Sequence, residues 1–310
     1  MLHITNGSSV QICDTDIGGQ VVYWNDVLHE GPVPNLPLQE LSDLRAGFIA
    51  QGFPPEEVQR EFEERDSALC AYGDHEELVL WFEHDLYDQL QLIQILAWIA
   101  EHPATSTRVS LIETDTYLGP MSPDQLSALF PDRRDVTPEQ YRTAKRAWSA
   151  FTATSPEALA GVLGDDTSAL CHLNAALRRL AEEFPSTRDG LSRTERQILQ
   201  AVASGARTMG EAFRVTTAME ERVFMGDSAF ALHLRALANC RKPLLHMNEH
   251  GSVMKLTLGL TANGRDVLES SADHIKLNGI DRWIGGIHLS DTDRVWRFDD
   301  KTATLVSERG

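Results

Sequence analysis

Two histidines, each beside a glutamate at the end of an apolar run, are the residues whose types and spacing could do chemistry. Glu83 and His84 follow Leu78-Val79-Leu80-Trp81-Phe82, with Asp85 and Asp88 just beyond; His29 and Glu30 come soon after Gln20–Trp24, Asn25 and Asp26. Imidazole titrates near neutral pH, and a neighbouring carboxylate can serve as general acid, general base or metal ligand. Two more runs end in polar residues: Leu2–Thr5 leads to Asn6-Gly7-Ser8-Ser9, and Arg108–Ile112 leads to Glu113, Asp115 and Tyr117. If the four runs are parallel strands of one sheet, these loops meet at its carboxyl edge, where open α/β sheets bind ligands. The candidate catalytic groups are then His29, Glu30, Glu83, His84 and Asp85. Candidate substrate contacts are Asn6, Ser8, Ser9, Asp26, Asp88, Tyr117 and, from farther along the chain, Arg188. His29, His84 and Glu83 are the candidate ligands for a divalent metal; imidazole with carboxylate suits Zn, Mn, Fe or Mg.

Plainer roles compete for some of these residues. Asp85 is placed to cap the helix that follows, and Asp88, three positions later, to complete a capping box. Asn6–Ser9 could present backbone N–H groups to a phosphate, but neither GxGxxG nor GxxxxGK[ST] is present, and a polar strand-to-helix turn is the simpler reading. Ser8 could act as a nucleophile with His29 or His84 as base, yet no GxSxG elbow supports it. No HExxH spacing occurs.

The elements that must position these groups follow from periodicity. The unbroken apolar run 78–82 predicts a strand covered on both faces, and Leu86, Leu90, Ile93, Ala97 and Ala100 predict an amphipathic helix ending at His102-Pro103. Two polar helices, about 39–50 and 56–68, precede that strand. Together these predict a Rossmann-like parallel sheet in residues 1–130. Helical sequence then takes over in 131–187, starting from the capping box of Thr137-Pro138-Glu139-Gln140. Residues 184–191, FPSTRDGL, read as a linker, and a further capping box, Ser192 to Glu195, opens the last part.

In 188–310, helices near 193–203, 209–213 and 228–239 precede a hairpin over 244–258 turning at Asn248–Gly251. That order predicts a winged-helix-like domain. A DNA-reading helix should expose basic and amide side chains, and 228–239 offers only His233, Arg235 and Asn239. Arg188, Arg193 and Arg196 could instead neutralise acidic neighbours or meet an anionic substrate. The end of the chain, RWIGGIHLSDTDRVWRFDD, predicts one hairpin carrying Trp283 and Trp296 and turning at Asp291-Thr292-Asp293.

Charge is distributed unevenly. Residues 1–187 carry 11 Lys and Arg against 30 Asp and Glu, a net of −19, whereas 188–310 carry 17 against 16, a net of +1. An acidic first part repels a phosphate backbone, so DNA is a possible but disfavoured partner. Cys13, Cys70, Cys171 and Cys240 form no CxxC pair, which predicts buried, reduced thiols rather than a zinc or disulfide framework. No apolar run approaches the roughly 20 residues of a membrane span, and MLHITNGSS lacks a signal-like segment, so the expected location is the cytoplasm, with no membrane partner.

The phrases ITNG at 4–7, DVLHEGPVP at 26–34, WFEHDLYDQLQL at 81–92, FPSTRDGLSRTERQIL at 184–199 and RWIGGIHL at 282–289 resemble one bacterial family whose N-terminal part is a domain of unknown function. The resemblance implies no activity, cofactor or site residue. From the residues themselves the expectation is a small-molecule enzyme, a hydrolase or group transferase with possible metal assistance. The alternative is a ligand-sensing regulator that binds DNA through the winged helix.

Overall fold

A computed structural model describes residues 1–248, 253–290 and 294–309. It is a mixed α/β structure with a five-stranded, mostly parallel sheet and, among the described residues, twelve α-helices. The chain divides into two compact units, one of 1–177 with 285–287 and one of 178–284 with 288–310.

In the first unit the elements run β1 (Leu2–Thr5), β2 (Gln20–Tyr23), α1 (Leu38–Ile49), α2 (Pro55–Cys70), β3 (Glu77–Phe82), α3 (Leu86–Glu101), β4 (Arg108–Glu113), α4 (Pro123–Leu129), β5 (Arg134–Asp135), α5 (Pro138–Phe151), α6 (Pro156–Gly164) and α7 (Leu173–Ala181), the last crossing the boundary between units. The sheet order is β2-β1-β3-β4-β5; the first four strands are parallel, and β5 is a short antiparallel addition. Five of the six β3 residues are buried because both faces of the strand are covered. On one face Val79 and Trp81 join Val10, Ile12, Ile112, Leu118 and Leu126, and Trp81 stacks on Phe130.

On the other face lies α3, which is not the amphipathic helix that its apolar spacing predicts. Leu92, Ile95, Leu96 and Ile99 are buried as well as Leu86, Leu90, Ile93 and Ala97 of the expected stripe, because α5 packs along its outer side. Three buried glutamines make this burial tolerable by fastening α3 to its surroundings. Gln89 donates to the Glu83 carbonyl (2.7 Å), Gln91 to that of Asp26 (2.9 Å), and Gln94 Oε1 accepts from the Trp24 indole (2.8 Å). α5 starts as its sequence predicts, with Thr137 and Gln140 closing a capping box ahead of Pro138. Near its other end, backbone replaces side chains: a Cβ on Gly285 would lie 2.2 Å from the Phe151 carbonyl oxygen, and one on Gly286 2.0 Å from that of Thr152. There the Gly285 carbonyl accepts from Val33 N–H (2.8 Å) and Gly286 N–H donates to Phe151 (2.9 Å).

The second unit holds α8 (Arg193–Ala203), α9 (Met209–Thr217), α10 (Asp227–Asn239), β6 (Leu245–Asn248), β7 (Thr257–Leu260), α11 (Ala262–Leu268), α12 (His274–Asn278), β8 (Asp281–Ile284), β9 (Ile287–Ser290, whose first residue belongs to the first unit), β10 (Arg294–Asp299) and β11 (Thr304–Arg309). β6 and β7 pair antiparallel; most of the turn expected between them, and all of Asp291–Asp293, lies outside the described residues. Two strand pairs replace the single terminal hairpin: β8 with β9 across Gly285-Gly286, and β10 with β11 in register from Arg294↔Arg309 to Asp299↔Thr304. Trp283 and Trp296 therefore sit on different hairpins.

Residues 184–191 are not a linker. Phe184, Asp189 and Leu191 are buried, and the segment is bonded on both sides: Ser186 N–H donates to Leu191 (2.8 Å), Thr187 N–H to Phe298 (2.9 Å) and Phe298 N–H to Pro185 (2.9 Å). Beside it Glu183, fully buried, takes Arg179 at 2.7 Å, Arg282 at 2.8 Å and the Thr194 hydroxyl. Burial alone would raise the Glu183 pKa, but the two guanidiniums outweigh it and hold the carboxyl well below its ordinary range. His233 is a further correction. It is buried on the Phe230/Leu234/Leu237 stripe of α10, so it is not on the exposed face. The cysteines also depart from expectation: Cys13, Cys70 and Cys171 are exposed and Cys240 half-buried.

Candidate functional site

Every parallel strand of the first unit ends at the same edge, and α3 begins there. Asp85 takes extended backbone angles and caps the helix, its Oδ1 accepting from Asp88 N–H at 3.1 Å. Asp88 does not return that bond as a capping-box partner would. Its Oδ1 accepts from Glu83 N–H (2.7 Å) and its Oδ2 from Asn6 Nδ2 (2.7 Å), so one carboxyl group ties together the ends of β3 and β1. Glu83 Oε1 in turn accepts from Leu118 N–H (2.7 Å), which brings in the loop after β4. A Cβ on Gly119 would come within 3.1 Å of Ser9 Oγ, so the β1 and β4 loops touch.

The result is three buried acids, Glu83, Asp85 and Asp88, each with an oxygen within 4.8 Å of the others'. Burial first, then the negative charges of Asp85 and Glu83, push Asp88 well above its ordinary pKa, against the pull of the Asn6 and Glu83 hydrogen bonds. Burial likewise raises Glu83, opposed by the Leu118 N–H. Like charges this close in a dry setting do not all ionise together, so the cluster retains a proton above the normal carboxylate range. Such a group can deliver a proton while a neighbouring carboxylate accepts one.

The two predicted histidines have different ring neighbours. His29, buried, meets Tyr87 edge-on with centroids 6.1 Å apart, and the Tyr87 hydroxyl donates to the Asn6 carbonyl at 3.2 Å. Burial raises the Tyr87 pKa, so the phenol keeps its proton. His84, also buried, lies 4.9 Å from the Tyr117 ring and 5.9 Å from that of His172. Two sets among the described residues place three ligand atoms within 4.8 Å of one another: Glu83/Asp85/Asp88 and Glu113/Cys171/His172. Neither is the expected His29/His84/Glu83 set.

Other predicted contacts have structural partners. Asp26 is completely buried and bonded by Arg45 (2.8 and 3.0 Å) and approached by Arg65 (3.5 Å), from two helices whose polar sequence hid buried arginines. The Glu30 carbonyl accepts from Arg45 at 2.7 Å. Ser8 and Ser9 are exposed, and Tyr117 is half-buried beside His84. Arg188 belongs to the second unit, where it pairs with Asp189 (3.2 Å) and Asp300 (3.5 Å). Sequence reasoning missed Tyr87, Gln89, Cys171 and His172. Tyr87 and Gln89 were hidden inside a helix read for its apolar stripe, and Cys171 was read as a buried thiol with no attention to the adjacent His172.

A cavity of about 1020 Å³ lies at the other end of α3, walled by Tyr72, Trp98, Trp148, Asp66, Gln94 and Lys145 among others. Its walls come from α1, α2, α5 and the C-terminal half of α3, so it is not an extension of the acid cluster. Comparison of the chain with protein-family models, with curated proteins and with solved structures finds no match.

Proposed function

We propose that this chain is a small-molecule enzyme, a hydrolase or group transferase, working at the carboxyl edge of a Rossmann-like sheet. The observation that carries this reading is Asp88: a fully buried carboxyl group held well above its ordinary pKa, hydrogen-bonded to Asn6 and set against Glu83 and Asp85. Glu83 and Asp88 form the acid/base pair. His84, with Tyr117 beside it, and His29, with Tyr87, supply further proton-transfer groups. A purely structural cluster would be better served by neutral side chains, since three buried acids oppose one another. The helix–helix–helix–strand–strand order of α8 to β7, with Thr208 bridged to Thr257, supports a winged-helix-like reading of the second unit. DNA binding draws little support. The exposed positions of α10 are Asp227, Ser228, Leu232, Arg235, Ala236 and Asn239, with one cation among them, while Arg193 is held by Glu182 and Glu221.

The test is turnover of a panel of model phosphate esters, carboxylic esters, amides and nucleosides by the full chain between pH 5 and 9, followed by NMR. Wild type should turn over at least one class. Glu83→Gln and Asp88→Asn should lose about 100-fold or more, the usual contribution of general acid–base catalysis, with unchanged far-UV circular dichroism. Turnover that survives intact in both folded variants would remove the acid cluster from the chemistry.

A further inference from the structure

Glu113 ends β4, and the chain brings a distant turn back to it. Leu170 N–H donates to Thr167 (3.0 Å), Leu173 N–H to Leu170 (3.1 Å) and Ala176 N–H to His172 (3.2 Å), so Cys171 and His172 sit on a tightly bonded turn running into α7. A carboxylate oxygen of Glu113, the Cys171 sulfur and a His172 ring nitrogen all lie within 4.8 Å of one another. Gln89, Cys171 and the His172 backbone N–H approach the Glu113 carboxyl group, yet its buried Oε1 closes no hydrogen bond. A buried carboxylate oxygen left this way, with sulfur and imidazole in reach, is the arrangement a cation would complete.

The donor set selects the ion. A hard cation such as Mg²⁺ or Ca²⁺ takes oxygen ligands, whereas one thiolate, one imidazole and one carboxylate suit a borderline ion of the zinc class. Three protein ligands leave one position for water or substrate, as in catalytic rather than structural zinc sites. His84, 5.9 Å from His172 between ring centroids, joins this set to the acid cluster. We propose that Glu113, Cys171 and His172 form a three-ligand site for a zinc-class divalent ion. Ion binding by these three residues is independent of the acid cluster's chemistry.

Cobalt(II) is the probe, because its thiolate charge-transfer and ligand-field bands report both sulfur ligation and geometry. The full chain, stripped with chelator under reducing conditions, should bind one equivalent of cobalt with a thiolate band, and zinc should displace it. Cys171→Ser, at an exposed position that tolerates the change, should abolish the band, while Cys13→Ser, Cys70→Ser and Cys240→Ser keep it. His172→Ala and Glu113→Gln should each weaken binding beyond the roughly 10–100-fold that loss of an outer-sphere partner costs. Glu83→Gln should bind cobalt as wild type does, which separates this site from the acid cluster. No bound cobalt, a band that persists in Cys171→Ser, a fast-alkylating Cys171 thiol that takes no cobalt, or binding that follows Glu83 would each overturn the proposal. Cobalt binding without turnover of any model substrate would leave this site standing and count against the enzyme reading alone.

Discussion

At the scale of single residues, Asp88 and Asp26 show how one side-chain type can be held in opposite ways. Both are fully buried, but Asp26 faces two guanidiniums and Asp88 faces two other acids. Removing Asp26 leaves buried Arg45 with carbonyl acceptors alone and Arg65 with Asp66 as its acid; Asp26→Ala should cost about 3–5 kcal/mol in urea unfolding, the usual penalty for breaking a buried pair. A loss under 1 kcal/mol would mean that these remaining partners suffice. For Asp88 and Glu83 the sign is reversed. Their folded pKa values lie above the unfolded values near 3.8 and 4.5, so the protonated cluster's contribution to stability is complete at low pH and is lost as pH rises through the folded pKa values. Glu83→Gln removes one of the opposing charges. Its melting temperature should therefore gain on wild type between pH 5 and pH 8, and carboxyl ¹³C NMR should show Asp88 titrating lower. A constant gap between the two proteins across that range would argue against a shared proton.

At the scale of elements, the start of α3 separates capping from chemistry. Asp85 caps the helix through one oxygen, a role that serine can fill. Asp85→Ala should cost about 1 kcal/mol and Asp85→Ser much less, both read by thermal unfolding. If activity follows the carboxylate rather than the cap, Asp85→Ser will be stable and impaired. The four parallel strands, the caps at Thr137 and Ser192, and the meeting of loops at one sheet edge were legible because each rests on local spacing. What was not legible depended on distant partners. Gln89, Gln91 and Gln94 look like a solvated face until Glu83, Asp26 and Trp24 bond to them, and residues 184–191 look like a linker until Phe298 bonds to both sides of Ser186. Of the candidate site, Asn6, Glu83, Asp85 and Asp88 meet through spacing that a parallel sheet makes predictable. Glu113 meeting Cys171 and His172 depends on a chain return that no periodicity announces.

At the scale of the molecule, the net charge of −18 sets the terms for any polyanionic partner. Arg179, Arg193, Arg282 and Arg297 are engaged by acids of their own unit, so the near-neutral second unit does not present them as a basic surface. The full chain should show no retention on mixed duplex DNA at about 50 mM salt and so no salt-dependent release; retention that falls steeply with salt would restore the regulator reading. The double glycine at 285–286 has a different kind of consequence, one of timing. Synthesis runs from the N-terminus, and early segments ordinarily fold as they emerge. Here Val33 N–H and the Phe151 carbonyl wait for Gly285 and Gly286, partners made far later in the chain. The first unit cannot complete these two bonds until residues 178–284 of the second have been made. A nascent chain stalled at about residue 200 should therefore be more protease-sensitive near Val33 and Phe151 than the released protein.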